Sequence, residues 1–306
     1  MTKAFGRNVF YAGSEQIDQP LVYDPRLRDH LPPDAQESVE RARTLWGQKV
    51  RNRLESETRL KPTSAVPVKV KDGMPIWFAD LIREFDDPDL WWLIAHRELF
   101  TWTYKGVAEL SNAASIPRPL LRTAGTDDSL QASLESISSV IRELLASKRA
   151  EEFYIRLRGI DYDVLGAYFF NKPEVQLYWM VIAFYAALLQ VRIEDLTIVV
   201  LAHELAHAYT HLGGDADLSS WETEYLADAD LRIVEGLAQF YTERVVVSLA
   251  DEQPSARFAF DALLSMQSLP YIIFKEWTDP SEPRRNEIVR TAMIKTRTRG
   301  QSHRRR

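Results

Sequence analysis

The run Leu201-Ala202-His203-Glu204-Leu205-Ala206-His207-Ala208-Tyr209 places a His-Glu-x-x-His pattern inside an apolar, helix-forming stretch from Leu196 to Leu212. Side chains four apart on a helix lie about 40° apart around the axis and about 6 Å apart along it. His203 and His207 can therefore aim both imidazoles at one point in front of a single face. Two neutral imidazoles and one further ligand leave the fourth position of a zinc ion open, which is the layout of a catalytic rather than a structural site. Glu204, next to the first histidine, is then placed to take a proton from water without being a ligand. The competing reading is a core helix whose two histidines happen to fall four residues apart; the surrounding Ala, Leu and Val suit burial in either case.

Working outward, Gly213-Gly214 is expected to stop this helix, with Asp195 or Thr197 as its N-cap. An acidic connection follows, holding Asp215, Asp217, Glu222, Glu224, Asp228 and Asp230. A new helical pattern then runs from Leu231 to Val245 and contains Glu235. His211 continues the ligand face by one turn and reads as a neighbour of the site or a surface residue. Asp228, Asp230 or Gln239 can orient a ligand through a hydrogen bond.

The pair His203-Glu204-x-x-His207 and Val234-Glu235-Gly236-Leu237-Ala238 resembles the gluzincin group of zinc metallopeptidases. In the aminopeptidase branch of that group, the third ligand is a Glu in a similar Asn-Glu-Gly-Phe-Ala segment on the next helix. The resemblance covers about residues 150–250. It implies a Zn2+ site of His203, His207 and Glu235, with Glu204 as general base and a peptide or protein as substrate. A glycine after the ligand is expected to let the two helices approach closely. Family members commonly stabilise the oxyanion with a Tyr or His from the C-terminal part of the fold, which implies Tyr271, with Tyr241 and Tyr209 as alternatives. Two departures stand out. The 27 residues between His207 and Glu235 exceed the family's usual connection, so Asp228 and Glu224 stand beside Glu235 as candidates for the third ligand. Gly166-Ala167-Tyr168-Phe169-Phe170 begins like the aminopeptidase Gly-x-Met-Glu-Asn strand but lacks its Glu, so an endopeptidase is expected rather than an exopeptidase.

Upstream of the motif, Gly166–Phe170 and Val175–Trp179 read as a hairpin about the turn Asn171-Lys172-Pro173-Glu174, and Met180–Gln190 as a helix. In the family such a strand edges the cleft and pairs with extended substrate. Phe153–Leu157 reads as another strand, Ser129–Glu152 as an amphipathic helix, and Val68–Lys71 as a short strand. Asp34 opens a charged helix that runs to about Leu60, whose Arg51 and Arg53 read as part of a solvated face rather than as nucleic-acid contacts. Residues 75–112 read as two aromatic-rich helices forming core. His96, alone within them, is expected to be a core or surface histidine. The Pro- and Gly-containing stretch from Ala114 to Asp128 is a candidate boundary. The expected architecture is α+β and mostly helical, with a zincin-like metallopeptidase domain carrying a small mixed β-sheet over the motif helix. The expected division is a helical N-terminal region of unknown function (1–120), the metallopeptidase domain (121–283) and a basic C-terminal helix and tail (284–306).

Composition narrows the alternatives. With 306 residues, 45% of them apolar and 27% charged, the chain can bury a substantial core. The absence of cysteine excludes disulfides, thiolate zinc fingers and cysteine nucleophiles. A net charge of −6 argues against general nucleic-acid binding by the body of the protein. The basic end, from Arg284 to Arg304-Arg305-Arg306, reads as a solvated helix (Asn286–Lys295) and a disordered tail, and leaves nucleic acid as a partner that is possible but not favoured. Residues 1–19 lack an apolar block of signal-peptide length, and Val175–Leu189 is too short for a membrane span. A cytoplasmic protein without membrane association is expected.

Overall fold

The computed structural model describes residues 20–85, 152–153, 155–157, 165–214, 220–279 and 281–303. The expectations for Ser129–Glu152 as a whole, His96, the Ala114–Asp128 boundary and the second aromatic helix lie outside the described residues. Among them the elements in chain order are β1 (Leu21–Val22), α1 (Pro25–His30), α2 (Ala35–Thr58), β2 (Lys61–Pro62), β3 (Val68–Lys71), β4 (Met74–Pro75), α3 (Ile76–Glu84), β5 (Gly166–Phe169), β6 (Glu174–Tyr178) and α4 (Trp179–Leu189). There follow α5 (Ile193–Leu212), β7 (Gly213–Gly214), α6 (Thr223–Ala227), α7 (Leu231–Ser248), α8 (Pro254–Leu264), the single turn α9 (Leu269–Ile272), a 3₁₀ turn (Ile273–Glu276) and α10 (Arg285–His303). The described fold is mostly helical with small sheets, consistent with α+β.

The motif helix α5 is the axis of the packing. Asp195 through His211 are buried without a break. A helix covered on all sides needs neighbours all round, and α2, α7, α8, α4 and β5 supply them. Helix α2 is built from strong helix formers such as Ala, Glu, Arg and Leu. It turns a stripe of Val39, Ala42, Val50, Leu54 and Thr58 inward and ends at Arg59, which takes the left-handed conformation (φ 54°). The chain then crosses the end of α5 as β2, pairing antiparallel with β7 (Lys61↔Gly214, Pro62↔Gly213). Gly213 is required there: a Cβ would lie 2.4 Å from the Tyr209 carbonyl oxygen and 2.6 Å from Leu60 Cβ.

On another side of α5 lies a three-stranded mixed sheet in the order β3-β6-β5, with β3 parallel and β5 antiparallel to β6. Both hairpin strands fall where alternation and the Asn171–Glu174 turn place them, and β5 and β6 touch α5. Helices α4 and α7 also form as their patterns predict.

Three details differ from expectation. Phe153 and Leu157, read as strand, belong to helical residues (152–153 and 155–157). Phe153 and Leu157 are buried while Ile155 between them is 61% exposed, which is i, i+4 burial; a strand would have put all three on one face. Asp195 and Thr197 are not caps. Helix α5 begins after Arg192, which caps it without a side-chain bond. The Asp195 carboxylate instead accepts from Gln253 Nε2 at 2.5 Å, and Thr197 Oγ1 donates to the Ile193 carbonyl. The C-terminal helix is not merely a solvated face, because Val289, Met293 and Arg297 are buried against the body.

Among the described residues, no helix is long and apolar enough to cross a membrane.

Candidate metal centre

Helices α5 and α7 pack against each other, so the face bearing His203 and His207 meets the face bearing Glu235. His203 Nε2 lies 3.1 Å from His207 Nε2 and 3.2 Å from Glu235 Oε2. His207 Nε2 lies 3.4 Å from the same carboxylate oxygen. All three residues are buried. A tetrahedral ion with bonds of about 2.0–2.1 Å sets its ligand atoms about 3.3–3.4 Å apart. The three side-chain atoms thus already form a triangle of the size that one face of such a coordination shell requires. The group can hold a metal ion.

Electrostatics point the same way. Burial alone would raise the Glu235 carboxyl, but the two imidazoles, through charge and hydrogen bonding, outweigh it and hold the group well below the usual carboxylate range. A carboxylate this deep needs a positive partner. Protons on the imidazoles or a metal ion between the three groups can supply one.

The other carboxylates are elsewhere. Glu222, Glu224, Asp228 and Asp230 are exposed. Asp230 is the N-cap of α7, accepting from Arg232 N at 2.9 Å and pairing with the Arg232 guanidinium. Asp215 and Asp217 lie outside the described residues. The group of mutually close donors found among the described residues is His203, His207 and Glu235, so of the three candidate third ligands the fold brings Glu235 to the histidines.

Glu204 is buried beside this group, its stem lying along β5. A Cβ on Gly166 would sit 3.1 Å from Glu204 Cγ, 3.0 Å from Val200 Cγ1 and 2.9 Å from the Gln176 carbonyl oxygen. Glycine at 166 is what lets the edge strand approach the motif helix at Glu204. Sequence reading placed Gly166 in the strand but gave no sign of this contact, which joins residues 38 positions apart. Gly236 corrects a related expectation. Its missing side chain makes room not for α5 but for the segment after α9: a Cβ there would meet the Trp277 ring at 2.6 Å and Ile273 Cγ2 at 3.1 Å.

No family model, curated protein or solved structure matches the chain.

Of the three tyrosines weighed for the oxyanion, Tyr271 lies against the site, its ring centroid 5.9 Å from that of His203 and the planes inclined by 35°. Tyr209 donates its hydroxyl to the Arg51 carbonyl at 3.2 Å. Tyr241 is fully buried in the core, and burial pushes its hydroxyl pKa up. His211 is buried too, but its ring nitrogens meet the Tyr168 hydroxyl (2.9 Å) and Thr223 Oγ1 (3.1 Å), and it stands outside the donor group.

The basic residues spend much of their charge within the fold. Arg51 donates to the Val66 carbonyl and Arg53 to Glu252. On α10, Arg285 pairs with Glu243, Arg290 donates to the Thr58 carbonyl and Arg297 to the Gly213 carbonyl.

Proposed function

We propose that the protein is a zinc-dependent endopeptidase with a zincin-like catalytic domain of the gluzincin type. The observation that carries the reading is the buried triangle of His203, His207 and Glu235 donor atoms at 3.1–3.4 Å, with Glu204 one residue along the same helix. Two imidazoles and a carboxylate are the donor set of catalytic zinc sites that keep one position open. Zinc held there supplies Lewis acidity, lowering the pKa of water and polarising a carbonyl.

The chain's own residues divide the remaining work. Glu204 takes the proton from the attacking water as the carbon–oxygen bond forms, then delivers it to the leaving amine as the carbon–nitrogen bond breaks. Tyr271, against His203, donates a hydrogen bond to the oxyanion that develops on the former carbonyl. Strand β5 is paired to β6 on one side only among the described strands. Its other edge offers backbone donors and acceptors to an extended peptide, and Gly166 brings that edge next to Glu204.

The test combines metal content with hydrolysis, on protein purified without a histidine tag. Stoichiometric zinc is expected in the wild type and in Asp228→Ala, and none in Glu235→Ala. A peptide library is expected to be cut internally by the wild type, with cutting abolished by chelator and by Glu204→Gln, which keeps its metal. Metal binding without hydrolysis of any peptide would reject the peptidase reading. Zinc retained in Glu235→Ala but lost in Asp228→Ala would reject the ligand set.

A further inference from the structure

The residue that faces His203 from the C-terminal part of the chain sits on an element that cannot hold itself in place. Tyr271 belongs to the four-residue α9, which runs straight into the 3₁₀ turn at Ile273–Glu276. A single helical turn followed by a 3₁₀ turn has few internal bonds and no cooperative stability of its own. Ser268, the N-cap of α9, makes no side-chain capping bond. Its position must therefore come from outside.

Helix α7 supplies it at two points. Gln239 Nε2 donates to Gln267 Oε1 at 2.7 Å, just upstream of α9. Downstream, the Trp277 ring is seated on Gly236 so closely that a methyl group would collide with it, with Ile273 Cγ2 in tight contact at 3.1 Å. On the helical wheel, Gln239 and Gly236 lie about 40° and about 100° from Glu235. One arc of α7 thus carries the third donor of the metal group and both anchors of the segment that bears Tyr271. Gln239 is buried, while Gln267 is only partly covered, so the bond spans from core to loop.

We infer that Gln239 is a positioning residue: through its hydrogen bond to Gln267, together with the seat of Trp277 on Gly236, it holds Tyr271 against His203 at the metal centre. The catalytic consequence rests on the peptidase reading; the positioning itself does not. Because Gln239 is the donor, a carboxylate at 267 keeps the bond and an aliphatic side chain breaks it. Substituting the partly exposed Gln267 leaves the core of α7 intact.

Two measurements decide it. In metal-free protein, amide hydrogen exchange across 268–277 is expected to speed up about tenfold in Gln267→Leu, since a lost hydrogen bond loosens only what it anchors. Exchange there should stay at the wild-type rate in Gln267→Glu, and amides of 254–264 should not change in either. In zinc-loaded protein, Gln267→Leu is expected to lower kcat about tenfold or more with KM held within about twofold. The double variant Gln267→Leu/Tyr271→Phe should fall no further than Tyr271→Phe alone, because both act through one group. Unchanged exchange across 268–277 in Gln267→Leu, failure of Gln267→Glu to restore it, or additive kinetic losses would overturn the inference. If the wild type hydrolyses no peptide, the peptidase reading falls and the exchange arm still decides the positioning.

Discussion

His211 lies one turn beyond His207 on the face that carries the metal group, and its state at neutral pH can be worked out from its surroundings. Burial, the larger effect, and the nearby Arg297 cation push its pKa down from 6.5 to about 4. It is therefore neutral at pH 7, with one ring nitrogen donating and the other accepting, and the hydroxyls of Tyr168 and Thr223 can satisfy both. In the unfolded chain the same imidazole titrates near its ordinary value. Between pH 6.5 and 4 the unfolded state binds more protons, so stability is fully present above 6.5 and declines as the pH falls through this window. The gap between 6.5 and about 4, at about 1.4 kcal/mol per pH unit, comes to about 3 kcal/mol, of which about 2–3 kcal/mol is lost by pH 4.5. The perturbation is His211→Gln, which keeps a donor and an acceptor but cannot titrate. Urea unfolding of metal-free protein at pH 7.5 and pH 4.5 should show the wild type losing about 2–3 kcal/mol more than the variant over that interval. Equal losses in the two proteins, or a His211 resonance titrating near 6.5 in the folded state, would refute the reasoning.

Gly166→Ala forces a methyl group against a backbone carbonyl that cannot rotate away and against the Glu204 stem. Overpacking of this kind costs about 1–3 kcal/mol. Because Glu204 is displaced, peptide hydrolysis is expected to fall further than in a variant equally destabilised elsewhere, as paired melting and rate measurements would show. Zinc at about a thousand times its Kd should stabilise the wild type by about 4 kcal/mol. If the 306 residues unfold as one unit, that is about 6 °C in Tm by calorimetry; Glu235→Ala should lose most of the shift and Asp228→Ala none. Arg297→Met keeps the apolar volume of a buried side chain but removes the 2.6 Å bond to the Gly213 carbonyl, and is expected to cost about 1.5–3 kcal/mol in urea unfolding.

What the sequence revealed and what it concealed divide along one physical line. The motif helix, α7 and the β5–β6 hairpin were legible because each is specified by residues close together in the chain: an apolar run ending at two glycines, a 3.6-residue pattern, and alternation about a Pro-containing turn. The donor group was legible for the same reason at one remove. Two histidines four apart fix a direction, and Glu235 was singled out by the resemblance of Val234–Ala238 to a ligand-bearing segment. The errors share the opposite character. Asp195 looks like a cap from local sequence, yet Gln253, 58 residues away, claims its carboxylate. Phe153-Tyr154-Ile155-Arg156-Leu157 has the composition of a strand. Contacts of Phe153 with Phe85 and Phe184, with Leu157 buried and Ile155 left outside, belong to a helical face. The two glycines nearest the centre make the point most sharply. Both are explained by what a Cβ would meet: for Gly166 the Gln176 carbonyl of the paired strand and, well away along the chain, Val200 and Glu204; for Gly236 the distant Trp277 and Ile273. Local pattern places the groups that would do the chemistry, whereas the spaces that bring Glu204 to the edge strand and Tyr271 to His203 are properties of packing. The strictest test of the fold therefore lies in the small residues around the centre, where adding one methyl group should disturb a donor group and a buried carboxylate, Glu204, whose own side chains remain unchanged.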